Sequence, residues 1–267
     1  AGSSTYFWRV DEIAGANTNS GVVWSFTTVP APALGHRYRF SETSGTNVAD
    51  TVGGPAWNGT LPKGGTFSSG QLTLASASQQ YVLLPDAIVS TLSNCTFEVW
   101  VKLNSAASWS RIFDFGNNTT SYLFLTPQNG STTRLRFAIT TSGGGGEQQI
   151  TGPSALTAGA WYHLVVSIKG ANGILYVNGA PVGTNSNMTL KPSNLGSTAN
   201  NYLGRSQFSA DPYLNGVLDE FRIYNVALSP SEIAATYAMG PSQVLSTNSP
   251  SISLAAASTN LVFDWPL

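Results

Sequence analysis

The chain has 267 residues, a formal net charge of −1, and only 9% charged residues, against roughly 25% in an ordinary soluble domain. Its 42% hydrophobic content is enough for a sizeable core and excludes disorder driven by charge. Phosphate neutralisation needs a surplus of basic residues, and with 12 Lys+Arg against 13 Asp+Glu nucleic acid is excluded as a partner; no apolar run approaches the ~20 residues that span a bilayer.

In chain order, residues 1–28 carry two alternating stretches, TYFWRVDE and VVWSFTT, around a GANTNSG turn. The Pro/Ala-rich TVPAPALG follows, with the linker itself set at 29–33. Residues 34–240 are evenly punctuated by turn clusters such as GNN, QNG and VNGAP, which suit β-hairpins. In TFEVWVKL, Phe97, Val99, Val101 and Leu103 share one face, while Glu98, Trp100 and Lys102 share the other. Leu135, Phe137 and Ile139 oppose Arg134, Arg136 and Thr140. Leu164, Val166 and Ile168 oppose Trp161, His163 and Ser167. GILYVNG and GVLDEFRIYN continue the series. Many short antiparallel strands predict an all-β, two-sheet sandwich of the jelly-roll type.

One short helix is predicted near the end of this region, tucked against an edge or end of the sandwich. Ser229 is its N-cap, Pro230 its first residue, Glu232 completes a capping box and Gly240 stops it. Residues 241–267 read as a second linker, PSQVLSTNSPS, and the start of a further β module.

Two resemblances enter on these residues. Y-x-W-R-V-D followed by W-S-F-T-T resembles the last two strands of a fibronectin type III domain. Two strands alone make no stable sandwich, so the chain reads as a piece of a longer modular protein. The second covers 34–240. HRYRFSETSGTNVADTVGGPAWNGTL, FEVWVK, WYHLVVSIKGANGILYVNGAPV and LNGVLDEFRIYNVALSPSEI resemble the LamG-like, concanavalin A-like jelly-roll family. That resemblance implies two packed antiparallel sheets and a ligand surface on a groove or loop edge. It also implies a carbohydrate-binding accessory module of a secreted bacterial polysaccharide-degrading enzyme. The fold hosts hydrolases and lyases as well. One structural calcium is implied on Asp50, Asn58 and Asp219.

Catalysis finds little support in the residues. Glycoside hydrolysis usually takes two carboxylates facing one sugar bond. Glu98 has no acidic partner at i+2, and Asp219 and Glu220, being adjacent, point to opposite faces of a strand. His36 and His163 complete no triad or zinc motif. Cys95, the one cysteine, reads as a buried, inert thiol. The sequons at Asn58, Asn94 and Asn187 are expected by chance in a chain rich in Ser, Thr and Asn.

Sugar binding asks for less. Flat rings stack on the apolar face of a sugar, and guanidinium or carboxylate groups bond its hydroxyls. Trp109, Arg111, Tyr122, Arg134, Arg136, Phe208, Asp211 and Tyr213 lie in loops or on non-core strand faces, and they are the expected carbohydrate-binding residues. The plain alternatives are packing for the rings and a solvated strand face for the arginines. The expected partners are a plant or algal polysaccharide and other modules of the same polypeptide. The module is expected to be a secreted monomer. An adhesive module that contacts protein, or a divergent glycosidase or lyase, are the competing functions.

Overall fold

Alternating apolar and polar residues, cut by turn residues, satisfy their backbone hydrogen bonds best in antiparallel ladders. The computed structural model describes residues 4–28, 33–130, 132–245, 253–257 and 260–264. The chain begins with β1 (Ser4–Trp8), β2 (Glu12–Ala14), β3 (Asn17–Asn19) and β4 (Trp24–Thr28). Next come β5 (Leu34–Tyr38), β6 (Asn47–Val48), β7 (Gly59–Thr60), β8 (Thr66–Ser68), β9 (Gln71–Leu74) and β10 (Val82–Leu84). The central strands are β11 (Cys95–Leu103), β12 (Phe113–Gly116), β13 (Tyr122–Thr126), β14 (Arg136–Thr140) and β15 (Gln148–Thr151). They are followed by β16 (Trp161–Lys169), β17 (Asn172–Val177), β18 (Ala180–Asn185), β19 (Asn200–Leu203), β20 (Gly216–Tyr224) and helix α1 (Pro230–Met239). Finally β21 (Ser253–Ala257) pairs with β22 (Asn260–Asp264).

The chain divides into two compact units, one spanning Ala33–Val244 and one made of Ala1–Pro32 and Leu245–Leu267. The larger unit is the expected two-sheet antiparallel sandwich. Sheet 1 runs β15-β14-β13-β12-β19-β10-β7-β6, and sheet 2 runs β18-β17-β16-β11-β20-β9-β8 with β5 also paired to β20. Phe97, Val99, Val101 and Leu103 of β11 point into one shared core with Phe113 and Phe115, Leu123 and Leu125, and Phe137 and Ile139 of sheet 1. Each such side chain contributes ~1.5–3 kcal/mol through burial. Cys95 lies in the same core, and burial pushes its thiol up to about 12, so it stays protonated and unreactive.

β20 breaks the alternation. Trp100 faces Glu220 but Val101 faces Leu218, so Asp219 is the extra residue of a bulge. Leu218 and Phe221 therefore both point into the core, and Glu220 and Arg222 share the outer face with Glu98. This outer face carries a buried ionic network. Glu98 bonds His163 Nε2 at 2.8 Å, Arg222 Nη1 at 3.0 Å and the Tyr224 hydroxyl at 2.9 Å. Glu220 bonds Arg222 Nε at 3.0 Å and also takes Arg37.

The helix covers this network, where the sequence placed it at an edge or end. The Tyr237 ring stacks on His163 with centroids 5.7 Å apart. The carbonyls of Pro241 and Gln243 accept from Arg222, and that of Ser242 accepts from Arg37. The reason is electrostatic: buried charges on a strand face need a lid that supplies acceptors and excludes water. Ser229 caps the helix in a box with Glu232, and Gly240 ends it at φ 80.

In the smaller unit β1 pairs with β4, and the Trp8 and Trp24 rings stack at 6.2 Å. The GANTNSG stretch, read as a plain turn, contains β3, which pairs with β2 because Gly15 turns the chain at φ 63. Phe7, Ile13, Val22, Val23 and Trp24 are exposed on these ribbons. Residues 29–32 of the first linker and 246–252, which include most of the second, lie outside the described residues.

The network makes the larger unit sensitive to acid. Its partners hold Glu98 down at about 2, well below the usual 4.5, despite burial. A carboxylate depressed in the folded state adds stability above its unfolded value, lost as pH falls toward the folded value. Melting temperature should therefore fall steeply between about pH 4.5 and pH 2. Glu98→Gln should cost ~3–5 kcal/mol by breaking a buried pair and should flatten that acid limb; unchanged melting curves would contradict the network's role.

Candidate functional site

Sheet 1 has no helix over its outer face, and a row of large side chains lies across its strands. On β12, Asp114 sits opposite Phe124 of β13 and opposite Tyr202 of β19. Phe124 in turn faces Ala138 of β14, and Tyr202 faces Leu83 of β10. Tyr122, Phe124 and Ala138 form a small apolar cluster outside the main core, against which Trp109 and Phe208 pack.

Arg111 anchors this cluster. Its guanidinium lies 4.0 Å from the centroid of Phe124 and 5.5 Å from that of Trp109. It donates to Asp114 Oδ2 at 3.2 Å, to Asp211 Oδ2 at 3.0 Å and to the Trp109 carbonyl at 2.6 Å. The loop before β12 thereby holds the Trp109 backbone at φ 63. A left-handed conformation costs a non-glycine residue ~1–3 kcal/mol and tends to occur where a ligand needs the side chain placed. Gly130 has no side chain to meet the indole, and a Cβ there would strike Trp109 Nε1.

The result is an open pocket of ≈ 190 Å³ lined by Trp109, Arg111, Tyr122, Gly144, Glu147, Phe208 and Asp211. Drug-sized ligands occupy ~300–1,000 Å³, so the space suits one sugar ring. Tyr122 donates to Glu147 Oε1 at 2.8 Å, and Gln149 donates to Glu147 Oε2 at 2.9 Å. Ser206 donates to Asp211 Oδ2 at 2.8 Å. Three polar atoms around the pocket are buried without a protein partner: Asp114 Oδ1, Gln207 Oε1 and Arg136 Nε.

The expected sugar-binding residues divide into groups. Trp109, Phe208 and Asp211 are half-buried and line the pocket directly. Arg111 and Tyr122, expected to touch sugar, are buried beneath them and act as supports. Arg136 stands 5.8 Å from the Trp109 ring. Arg134, expected beside it, is exposed before β14 starts and does not line the pocket. Tyr213 belongs to a different aromatic cluster, 6.1 Å from Tyr81. The sequence reading missed Asp114, Glu147 and Gly144. Asp114 was legible in FDFG as a lone acid alternating with core aromatics, whereas Glu147 and Gly144 come from a glycine run whose path no periodicity encodes.

The residues expected to hold calcium have other partners. Asp50 Oδ1 accepts from the backbone of Arg37, Val52 and Gly53, and Oδ2 meets His36 Nδ1 at 2.6 Å. Asn58 Oδ1 accepts from the Asp50 backbone, and Asp219 Oδ2 accepts from Gln71. N–H donors aimed at these oxygens take the lone pairs a hard cation would need. Among the described residues no group of three or more His, Cys, Asp or Glu side chains could hold a metal ion.

The two-sheet sandwich, its strand order and its closing helix define a concanavalin A-like fold. The chain belongs to the concanavalin A-like lectin/glucanase superfamily, whose Laminin_G_3 model matches residues 76–234. It is 30% identical over 135 residues to the human adhesion G-protein coupled receptor D1, a match covering 46% of this chain and 15% of that protein. The chain thus matches only a small part of that curated relative. Domain 4 of AbnA, a GH43 extracellular arabinanase from Geobacillus stearothermophilus solved with arabinotriose, superposes with a TM-score of 0.62 at 22% identity. That match covers 77% of this chain and 98% of the domain. A Trypanosoma rangeli sialidase matches at TM-score 0.57 and 16% identity, over 76% of this chain and 32% of the sialidase. At these identities the solved structures establish the fold alone.

Two expectations follow from the site. Burial pushes Asp114 from 3.8 up to about 7, against the opposing pull of Arg111 and of the Gln207 hydrogen bonds. The folded chain then retains a proton that the unfolded chain loses, so stability declines as pH rises from about 4 to about 7. The melting temperature should fall across that window, and Asp114→Asn should remove the slope. Adding EDTA or millimolar calcium should leave the melting temperature unchanged; a rise with calcium would restore Asp50, Asn58 and Asp219 as ligands.

Proposed function

We propose that this chain is a noncatalytic glycan-binding module of a longer, secreted polysaccharide-degrading protein, and that it grips a neutral plant or algal sugar between Trp109 and Phe208. The carrying observation is the Trp109 indole, held by a strained backbone at the edge of a sugar-sized pocket. Stacking supplies the apolar contact, and the free lone pairs of Asp211 and Glu147 accept sugar hydroxyls. Arg111 is already shared between Asp114 and Asp211. The accessible charge in the pocket is therefore acidic, which disfavours an anionic sugar.

The same bonds argue for holding over hydrolysis. Asp114 is fully buried, Asp211 is tied to Arg111 and Ser206, and Glu147 to Tyr122 and Gln149. Glu98, the carboxylate singled out on β11, is buried beneath α1 on the other sheet. The similarity to an arabinanase domain solved with arabinotriose supports a neutral oligosaccharide. The side chains exposed around the β1–β4 and β2–β3 ribbons, such as Phe7, Ile13 and Trp24, fit neighbouring modules in the same polypeptide. No helix among the described residues is long and apolar enough to cross a membrane. A second reading, an adhesive module contacting protein, draws on the similarity to an adhesion receptor.

A glycan array over neutral and acidic plant, algal and animal oligosaccharides is the test. Neutral hits with affinities of ~mM to μM are expected. Trp109→Ala should weaken the best hit by about tenfold or more, and Trp109→Phe, which keeps a ring on the cluster, should weaken it less. No hit on the whole panel would favour adhesion. Release of shorter products from a bound oligosaccharide would establish an enzyme instead.

A further inference from the structure

Beside the pocket, on the same face of sheet 1, lies a second aromatic group that the proposed pocket does not use. Tyr81 and Tyr202 meet edge to face at 5.4 Å, and Tyr213 lies 6.1 Å from Tyr81. Arg205 lies across two of these rings, 4.8 Å from Tyr81 and 4.6 Å from Tyr202. Both rings are almost wholly buried, at 8% and 7% exposure, whereas Arg205 and Tyr213 are half-buried. The outward surface of the group is therefore a guanidinium plane beside a tyrosine.

Arg205 differs from Arg111 in one respect. Arg111 spends its donors on two carboxylates and a carbonyl, while among the described residues Arg205 has neither an ion pair nor a side-chain hydrogen bond. A guanidinium fixed over rings is pre-organised, with little further entropy to lose on binding. Its N–H groups remain available to an oxygen acceptor beside the rings.

The two groups are also connected. Tyr202 and Phe124 flank Asp114 on adjacent strands, so their backbones are two strand spacings apart, ~10 Å. Between them Gln207 donates its backbone N–H to Asp114 Oδ2 at 3.1 Å and its side-chain amide to the Asn200 carbonyl at 2.8 Å. Gln207 and the buried Asp114 thus tie the strand that carries Tyr202 to the strands that carry Phe124 and the pocket.

We propose that Arg205 and Tyr213, on their base of Tyr81 and Tyr202, form a second subsite that binds the next unit of the same saccharide chain. This rests on the pocket at Trp109 being a sugar site. The module then reads an internal stretch laid across β13, β12 and β19. The ligand atom recognised is an oxygen acceptor on the neighbouring unit, either a hydroxyl or a ring carboxylate.

Calorimetry on the whole chain tests this, using arabinose against arabinotriose, xylose against xylotriose, and galacturonate against trigalacturonate. The wild type should bind at least one trimer about tenfold more tightly than its monomer. Arg205→Ala and Tyr213→Ala should erase that gain and leave monomer affinity unchanged. Arg205→Lys, which keeps the charge but loses the planar fork, provides the same reading if the alanine variants melt early. With a hydroxyl acceptor Arg205→Lys loses the whole gain and salt has little effect. With a carboxylate it keeps part of the gain, and 0.5 M salt weakens binding. An unchanged trimer-to-monomer ratio in the Arg205 variants would overturn the subsite while leaving the pocket intact. If the wild type binds none of these sugars, the monomer and trimer of the array's best hit replace them; no hit on the whole array ends the pocket reading and the subsite with it.

Discussion

Every strand in a sandwich has two faces, and only one of them can enter the shared core. The structure depends on how the other face is managed. In sheet 2 the outer face carries Glu98, His163, Glu220 and Arg222, which cannot be left half-wet at an apolar boundary. Helix α1 and the stretch after it close over them and supply carbonyl acceptors. In sheet 1 the outer face carries rings such as Tyr122 and Phe124, which the loops bearing Trp109 and Phe208 bury in their turn. One face is sealed by a helix, and the other is covered by loops that leave a small open pocket between them.

A chain with so few charges concentrates them. Two clusters hold much of the buried charge, around Arg222 and around Arg111. The first is a fastening: Glu98 stays ionised because several donors meet it. The second is a scaffold. One guanidinium serves two carboxylates, burial keeps a proton on Asp114 in spite of it, and the same guanidinium carries the Trp109 loop. Arg111 is thus a positioning residue, and the surfaces that reach a ligand are the rings and acceptors it holds in place. The free Arg205 beside it suggests the same ring-and-guanidinium device used twice, once spent inward and once directed outward.

The pocket's chemistry favours holding over cutting for a geometric reason. Hydrolysis needs a carboxylate free to donate a proton and another facing the anomeric carbon. Here the acids in the pocket are tied into bonds that fix the pocket's shape. The larger cavity, ≈ 550 Å³ between β17, β18 and the start of α1, lies on sheet 2, away from the aromatic row. Its volume exceeds that of the pocket, but it brings together no comparable set of rings and acids.

Much of the fold was legible before any coordinates. Period-two alternation placed Phe97, Val99, Val101 and Leu103 in the core, and the Ser229–Glu232 box with Gly240 bounded the helix, because both signals are local and backbone geometry enforces them. The parity change at Asp219 was not legible, since a bulge depends on which residues stand opposite. Residue type and loop context also singled out Trp109, Arg111, Tyr122, Phe208 and Asp211, but not their roles. Only the tertiary structure put Arg111 and Tyr122 underneath, moved Tyr213 to another cluster, left Arg134 outside and brought in Glu147 and Asp114. It also gave Asp50 and Asp219 hydrogen-bond donors in place of a metal. Sequence determines which residues of an unbroken strand share a face, because alternation is a property of the chain itself. Pairing between strands far apart in sequence, as of Asp114 with Tyr202, decides where that alternation breaks and which side chains meet, and that is settled only when the two sheets close on their core.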